Sequence, residues 1–205
     1  DGFTALNGGM HGDFTPPSVS GVVDHVFAMG ESLYQITEDG DVYSVDKGTM
    51  ATQFETTLFI DRGIGQQWEI RRLSAEMVAL FPVFTGQAVY ILHETPSGLQ
   101  VDEVDLYYST LGIEIDALGN VSYDPYRNRV VIGGSFPHRN ILRPLPGDNG
   151  SAGRVLSISL DTTLPMEGRV EIVAMGEAST VMGSVWIPTP SGYLLMTATA
   201  ANQLM

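Results

Sequence analysis

Ser32-Leu-Tyr-Gln-Ile-Thr37, Glu38-Asp39-Gly40, Asp41-Val-Tyr-Ser-Val45 is the stretch that decides how this chain is read. Apolar or aromatic residues alternate with polar ones on both sides of an Asp-Gly turn. Period two places alternate side chains on opposite faces of a strand, and Asp-Gly suits a tight reversal. The stretch is a predicted β-hairpin.

The same grammar extends outward. Phe54 to Ile60 reads as a further strand. Ala88 to His93 and Leu99 to Val104 flank Thr95-Pro-Ser-Gly98 as a second hairpin. Val121 to Tyr123 and Arg129 to Ile132 flank Asp124-Pro-Tyr-Arg-Asn128 as a third. Val155 to Leu160, Val170 to Met175, Ser184 to Ile187 and Tyr193 to Thr199 complete the strands. The 23 Gly and 11 Pro are spread along all 205 residues, which keeps elements short and turns frequent. One segment is ambiguous. Gln66 to Phe81 has neither Gly nor Pro, and Ile70, Leu73, Met77 and Leu80 fall at helical spacing. It also reads as two strands, Trp68–Leu73 and Ala75–Leu80. Periodicity alone does not separate the two, and the β context favours strands.

Internal repeats set the architecture. Gly40-Asp-Val-Tyr-Ser-Val45 matches Gly153-Arg-Val-Leu-Ser-Ile158. Gly119-Asn-Val-Ser-Tyr-Asp-Pro125 matches Gly183-Ser-Val-Trp-Ile-Pro188. The expected fold is all-β, with propeller-like four-stranded antiparallel repeats starting near Val22, Trp68, Gly119 and Gly183, the fourth stopping after two strands. A β-sandwich or jelly roll is the alternative. Residues 1–21 are Gly-rich and polar and read as an N-terminal arm; residues 22–205 form the all-β repeat domain, an incomplete propeller on the first reading. The chain begins at Asp1 rather than Met, as expected of a processed or truncated product.

Composition narrows function. The formal net charge is −14, and Lys47 is the one lysine. Such a surface repels phosphate backbones, so direct nucleic-acid binding is not expected. No apolar run approaches the roughly 18 residues that span a bilayer, so membrane insertion is not expected either. With no Cys, disulfides and thiolate metal sites are excluded. Two sequons, Asn120-Val-Ser and Asn149-Gly-Ser, occur; the second is first of all a turn signal.

Side chains with chemistry are present but not in catalytic patterns. His11, His25, His93 and His138 form no His-x-His or His-Glu-x-x-His. His25 and His93 lie in apolar strands and read as core residues; His11 and His138 lie in Gly/Pro-rich loops and read as solvated. Glu38-Asp39-Gly40-Asp41 lacks calcium-loop spacing and occupies a turn. In Asp102-Glu103-Val104-Asp105, Glu103 and Asp105 share a strand face. Paired carboxylates there can do acid/base work, but on an edge strand they deter aggregation. No Gly-x-Ser-x-Gly elbow exists, and Gly63-Ile-Gly65 lacks the rest of a dinucleotide fingerprint. Trp68 and Trp186 read as core or inter-blade residues. The apolar run Leu194 to Met205 reads as paired, with another subunit as one partner.

Gly119-Asn-Val-Ser-Tyr-Asp-Pro and Gly153-Arg-Val-Leu-Ser-Ile resemble scaffold motifs of gluconolactonase- and strictosidine-synthase-type propellers. In lactonases of that type acidic and amide residues hold a metal, and Asn120 and Asp124 fall at a matching place. Phe54-Glu-Thr-Thr-Leu-Phe-Ile-Asp-Arg-Gly63 followed by Glu69-Ile-Arg-Arg-Leu-Ser-Ala-Glu76 resembles propeller-like hub and tail proteins of tailed-phage virions. That resemblance implies virion assembly rather than catalysis. The expectation is a non-enzymatic structural or interaction module of a larger assembly, a phage tail, hub or capsid-associated protein, located in a virion or outside the cell. Its partners are other protein subunits, in a homo- or hetero-oligomer. No catalytic, cofactor-binding or metal-ligating residue is assigned, and no cofactor is expected. The alternatives are a metal-dependent propeller hydrolase or lactonase and a secreted carbohydrate-binding or adhesion module.

Overall fold

The computed structural model describes residues 21–58, 67–82, 86–108, 110–139, 152–175, 181–189 and 192–199, with side chains up to residue 173. Four consecutive strands, β1 (Val23–Met29), β2 (Ser32–Thr37), β3 (Asp41–Val45) and β4 (Thr52–Thr57), form the first sheet. β5 (Trp68–Arg72), β6 (Met77–Pro82), β7 (Ala88–Thr95) and β8 (Gly98–Asp105) form the second. β9 (Ala117–Asp124), β10 (Arg129–Ser135), β11 (Gly153–Ser159) and β12 (Val170–Met175) form the third, with the short helix α1 (Met166–Arg169) before β12. A hairpin of β13 (Val181–Thr189) and β14 (Gly192–Thr199) follows. Every named pair is antiparallel, and each sheet keeps chain order. The fold is therefore all-β and built of repeated four-stranded meanders. No described strand crosses between sheets, as a jelly roll requires. The repeats begin where the sequence places them.

Local chemistry explains the hairpins. Leu33 opposes Val45 and Ile36 opposes Val42 across the β2–β3 turn. Gly40 takes a left-handed φ of 81° there, and its N–H donates to Thr37 O at 2.9 Å. The ambiguous segment resolves into β5 and β6, with Leu73 to Glu76 as the turn between them. Helical spacing there was coincidental. β6 is buried at every position from Met77 to Pro82, so its pattern carries no period to read.

That burial has a structural cause. The second sheet is covered on both faces. Met77, Ala79, Phe81, Val89 and Ile91 pack with Val130, Ile132, Phe136, Leu156 and Ile158 of the third sheet and its flank. Val78, Leu80, Ala88, Tyr90 and Leu92 pack with Met29, Tyr34, Ile36 and Val42 of the first. Odd and even positions of one strand thus serve different neighbours. Each fully buried Leu, Ile or Phe contributes about 1.5–3 kcal/mol relative to exposure. β13 runs beside β9, β10 and β11 of the third sheet.

Directed bonds lock the layers. Trp68 is buried between the first two sheets, its Nε1 donating to Thr37 O at 3.0 Å and its backbone N–H to Asp24 Oδ2 at 2.7 Å. Its ring meets Tyr90 edge-on at 5.9 Å. Gly30 N donates to Ala75 O at 2.7 Å. Between the second and third sheets, Ile115 N donates to Gly86 O at 2.7 Å and Gln87 Nε2 to Glu114 Oε1 at 3.1 Å.

Candidate functional site

A groove of 760 Å³ opens between the second and third sheets. It lies where the β5–β6 turn, the β9–β10 turn and the segment after β11 meet the ends of β7 and β8. Met77 and Ile91 face the third sheet as part of the core, and with Leu160 they make an apolar floor. His93, Gln100 and Asp102 stand along one wall, Tyr123 and Asn128 along the other, and Glu76 lies in the β5–β6 turn. Tyr123 donates its hydroxyl to Asn128 Oδ1 at 2.9 Å, which holds that wall together. The volume falls within the range of small-ligand sites, about 300–1,000 Å³.

One side of the groove is closed by an ion pair. Arg169 leaves α1 only 4% exposed. Its Nη1 donates to Asp102 Oδ1 at 2.9 Å, its Nη2 to Asp102 Oδ2, and its Nε to Ser159 O at 3.0 Å. The guanidinium therefore ties the third sheet to the second sheet's edge strand with both carboxylate oxygens in use. These partners are 67 residues apart, so no local motif reveals them.

A second opening of 480 Å³ lies along the adjacent edges of β1 and β5. Asp24 and His25 line it, and their side chains meet at 2.9 Å. A carboxylate-oriented imidazole is a general-base arrangement when it faces a nucleophile. Here Asp24 also accepts the Trp68 N–H, and no Ser or Thr lines the opening.

The carboxylates singled out in the sequence have structural occupations. Asp41 Oδ1 accepts the Thr57 hydroxyl at 2.6 Å, binding β3 to β4. Asp105 Oδ1 accepts the N–H groups of Tyr107 and Tyr108 at 2.7 and 2.9 Å. Glu103 and Asp105 do share a face on β8, the outer edge of its sheet. Burial, then the Asp105 charge, raises the Glu103 carboxyl above its ordinary value. Burial raises the opposing Tyr90 hydroxyl too, with smaller contributions from Glu103 and Asp105.

Asn120 and Asp124 do not converge. Asn120 is exposed on β9, whereas Asp124 is 3% exposed and caps the β9–β10 turn, accepting Tyr126 N–H at 3.0 Å. Four residues of strand put them about 13 Å apart, too far to share one ion directly.

Two histidine expectations are corrected. His25 and His93 are exposed, not core. Both stand near strand ends, where the neighbouring sheets splay and leave the two openings. His138, read as solvated, is half-buried, and its backbone bridges Ile113. Trp68 is the inter-sheet residue expected. His11, Gly63-Ile-Gly65, Asn149 and the arm to residue 20 lie outside the described residues, as does the Trp186 side chain. Among the described residues, no three His, Asp or Glu come together as a group that could hold a metal ion, and no helix is long and apolar enough to cross a membrane.

Groove residues Glu76, Met77 and Ile91, and Arg169 behind its wall, carried no functional signal in the sequence, because the groove exists only once two sheets are stacked. Comparison with known families and with curated proteins finds no match for this chain.

Proposed function

We propose that this protein is a non-enzymatic interaction module that joins a larger assembly through its sheet faces. One observation carries the reading. The matching strands Gly40–Val45 and Gly153–Ile158 are both the third strand of their sheets. The match puts Tyr43 and Val45 at the places of Leu156 and Ile158. Leu156 and Ile158 are fully buried against the preceding sheet. Tyr43 and Val45 lie on the face of the first sheet turned away from the second, the same docking type of face. Its inner rows, Leu33 and Val45, are buried, but its outer rows are open. Tyr43 stacks edge-on against Phe54 at 5.6 Å, and Phe54 is 54% exposed. Tyr43 is half-buried, and an exposed aromatic such as Phe54 beside a buried apolar row is a typical anchor of protein interfaces. A virion component is the particular assembly favoured by the resemblance of Phe54–Gly63 and Glu69–Glu76.

Mass in solution tests this, by light scattering coupled to size exclusion across a range of concentrations, with and without EDTA. The expected result is an oligomer that ignores EDTA and dissociates in Phe54→Glu. A monomer near 22.1 kDa that loosens on chelation overturns the reading and favours a metal-dependent enzyme.

A further inference from the structure

We infer that the groove between the second and third sheets receives a lysine side chain of a partner protein. Three features of the groove converge on that occupant. Its floor is a short apolar strip of Met77, Ile91 and Leu160. A lysine stem is a run of methylenes that lies on such a strip while its ammonium stays at the wet end. At that end Glu76 sits in an exposed turn and offers a carboxylate. No Lys or Arg lines the groove. Of the guanidiniums nearby, Arg169 is spent on both oxygens of Asp102, and Arg72 donates to the backbone oxygens of Ser74 and Ala75 in the β5–β6 turn. Of the two lining carboxylates, Asp102 is ion-paired and Glu76 stands outside the described ion pairs, in a chain of net charge −14 that attracts basic partners at long range. A phosphate or carboxylate ligand meets no free cation among the lining residues.

This deepens the interaction reading, since it takes the ligand from a protein, but it uses a different surface. The Phe54→Glu variant leaves the groove intact, so the two can fail separately. The probe is the peptide acetyl-Gly-Lys-Gly-amide, set against its norleucine counterpart, which keeps the stem and deletes the charge. Binding is read from the methyl NMR signals of Met77 and Ile91 in the full chain. The lysine peptide is expected to shift both signals saturably at millimolar concentration, and more weakly as salt is raised. Glu76→Gln, an exposed turn substitution whose fold is checked by thermal melting, is expected to weaken binding about three- to fivefold. Glu31→Gln, elsewhere on the surface, is expected to leave it unchanged. Equal binding of the norleucine peptide overturns the proposal. So do an unaffected Glu76→Gln, equal losses in Glu76→Gln and Glu31→Gln, or no shift at all. Preferential response of the same methyls to a neutral sugar overturns it in favour of a carbohydrate site.

Discussion

Asp102→Ala removes the carboxylate that Arg169 was buried to meet, and the cost can be worked from the geometry. Arg169 is 4% exposed, and two of its three described hydrogen bonds go to Asp102. Stripping one partner from a fully buried ion pair costs about 3–5 kcal/mol, because the other charge is left without water. Asp102 itself is 25% exposed, so water can follow the missing carboxylate to the guanidinium. The expected loss is therefore smaller, about 2–3 kcal/mol, the scale of charged hydrogen bonds. In a chain of this size each kcal/mol moves the melting temperature by about 2–4 °C, giving a fall of about 4–12 °C. Arg169→Met makes the complementary test. It deletes the charge, keeps an apolar filler, and leaves a carboxylate that reaches solvent. The double variant Asp102→Ala/Arg169→Met is expected to be more stable than Asp102→Ala alone, because no orphaned charge remains. Urea unfolding followed by tryptophan fluorescence and by far-UV circular dichroism measures all four proteins. In a Trp186→Phe background Trp68 alone reports the contact of the first two sheets, so a fluorescence transition that lags the circular dichroism would show the third sheet releasing first. The reasoning is refuted if Asp102→Ala melts with the wild type, or if the double variant is no better than Asp102→Ala.

Two further predictions follow from backbone space and from charge. Gly86 has φ of 54°, and a Cβ there would lie 2.5 Å from Ile115 O, a backbone atom that cannot swing aside; Gly86→Ala is expected to cost about 2–4 kcal/mol by thermal melting, while Gly48→Ala, with ordinary φ and a Cβ at van der Waals distance (3.4 Å) from Asp46 Oδ1, stays within about 0.5 kcal/mol. Glu103 has its carboxyl raised by burial and by Asp105, so its charged form destabilises the fold above the raised value and that penalty disappears as pH falls through it. Glu103→Gln is accordingly expected to raise the melting temperature slightly at neutral pH and to lose that advantage below about pH 4, where both states are protonated; a gain independent of pH would contradict the assignment.

The strands and turns were legible because their causes are local. Alternation around Glu38-Asp39-Gly40 specifies a hairpin within its own residues, and left-handed Gly30, Gly40 and Gly98 mark three of the reversals. The repeats Gly40–Val45 and Gly153–Ile158 carried the sheet size and the starting points of the units. Gln66 to Phe81 was less legible because a sheet covered on both faces loses its period of two, and an evenly apolar strand resembles a buried helix segment.

What only the tertiary structure decided is which face meets which neighbour. Met77 and Val78 are adjacent and equally apolar, yet one packs toward the third sheet and the other toward the first. His93 sits in an apolar strand and is nonetheless exposed, because the sheets diverge at its end. Arg169 reads as one more surface arginine until stacking brings Asp102 beside it. Composition and period report what a residue wants; they carry nothing about a neighbour 67 residues away. The sequence by itself determined an acidic, cysteine-free, all-β repeat. The groove, the buried ion pair and the open aromatic face arise from how the sheets stack, since burial and pairing across layers are properties of distance in space and not along the chain.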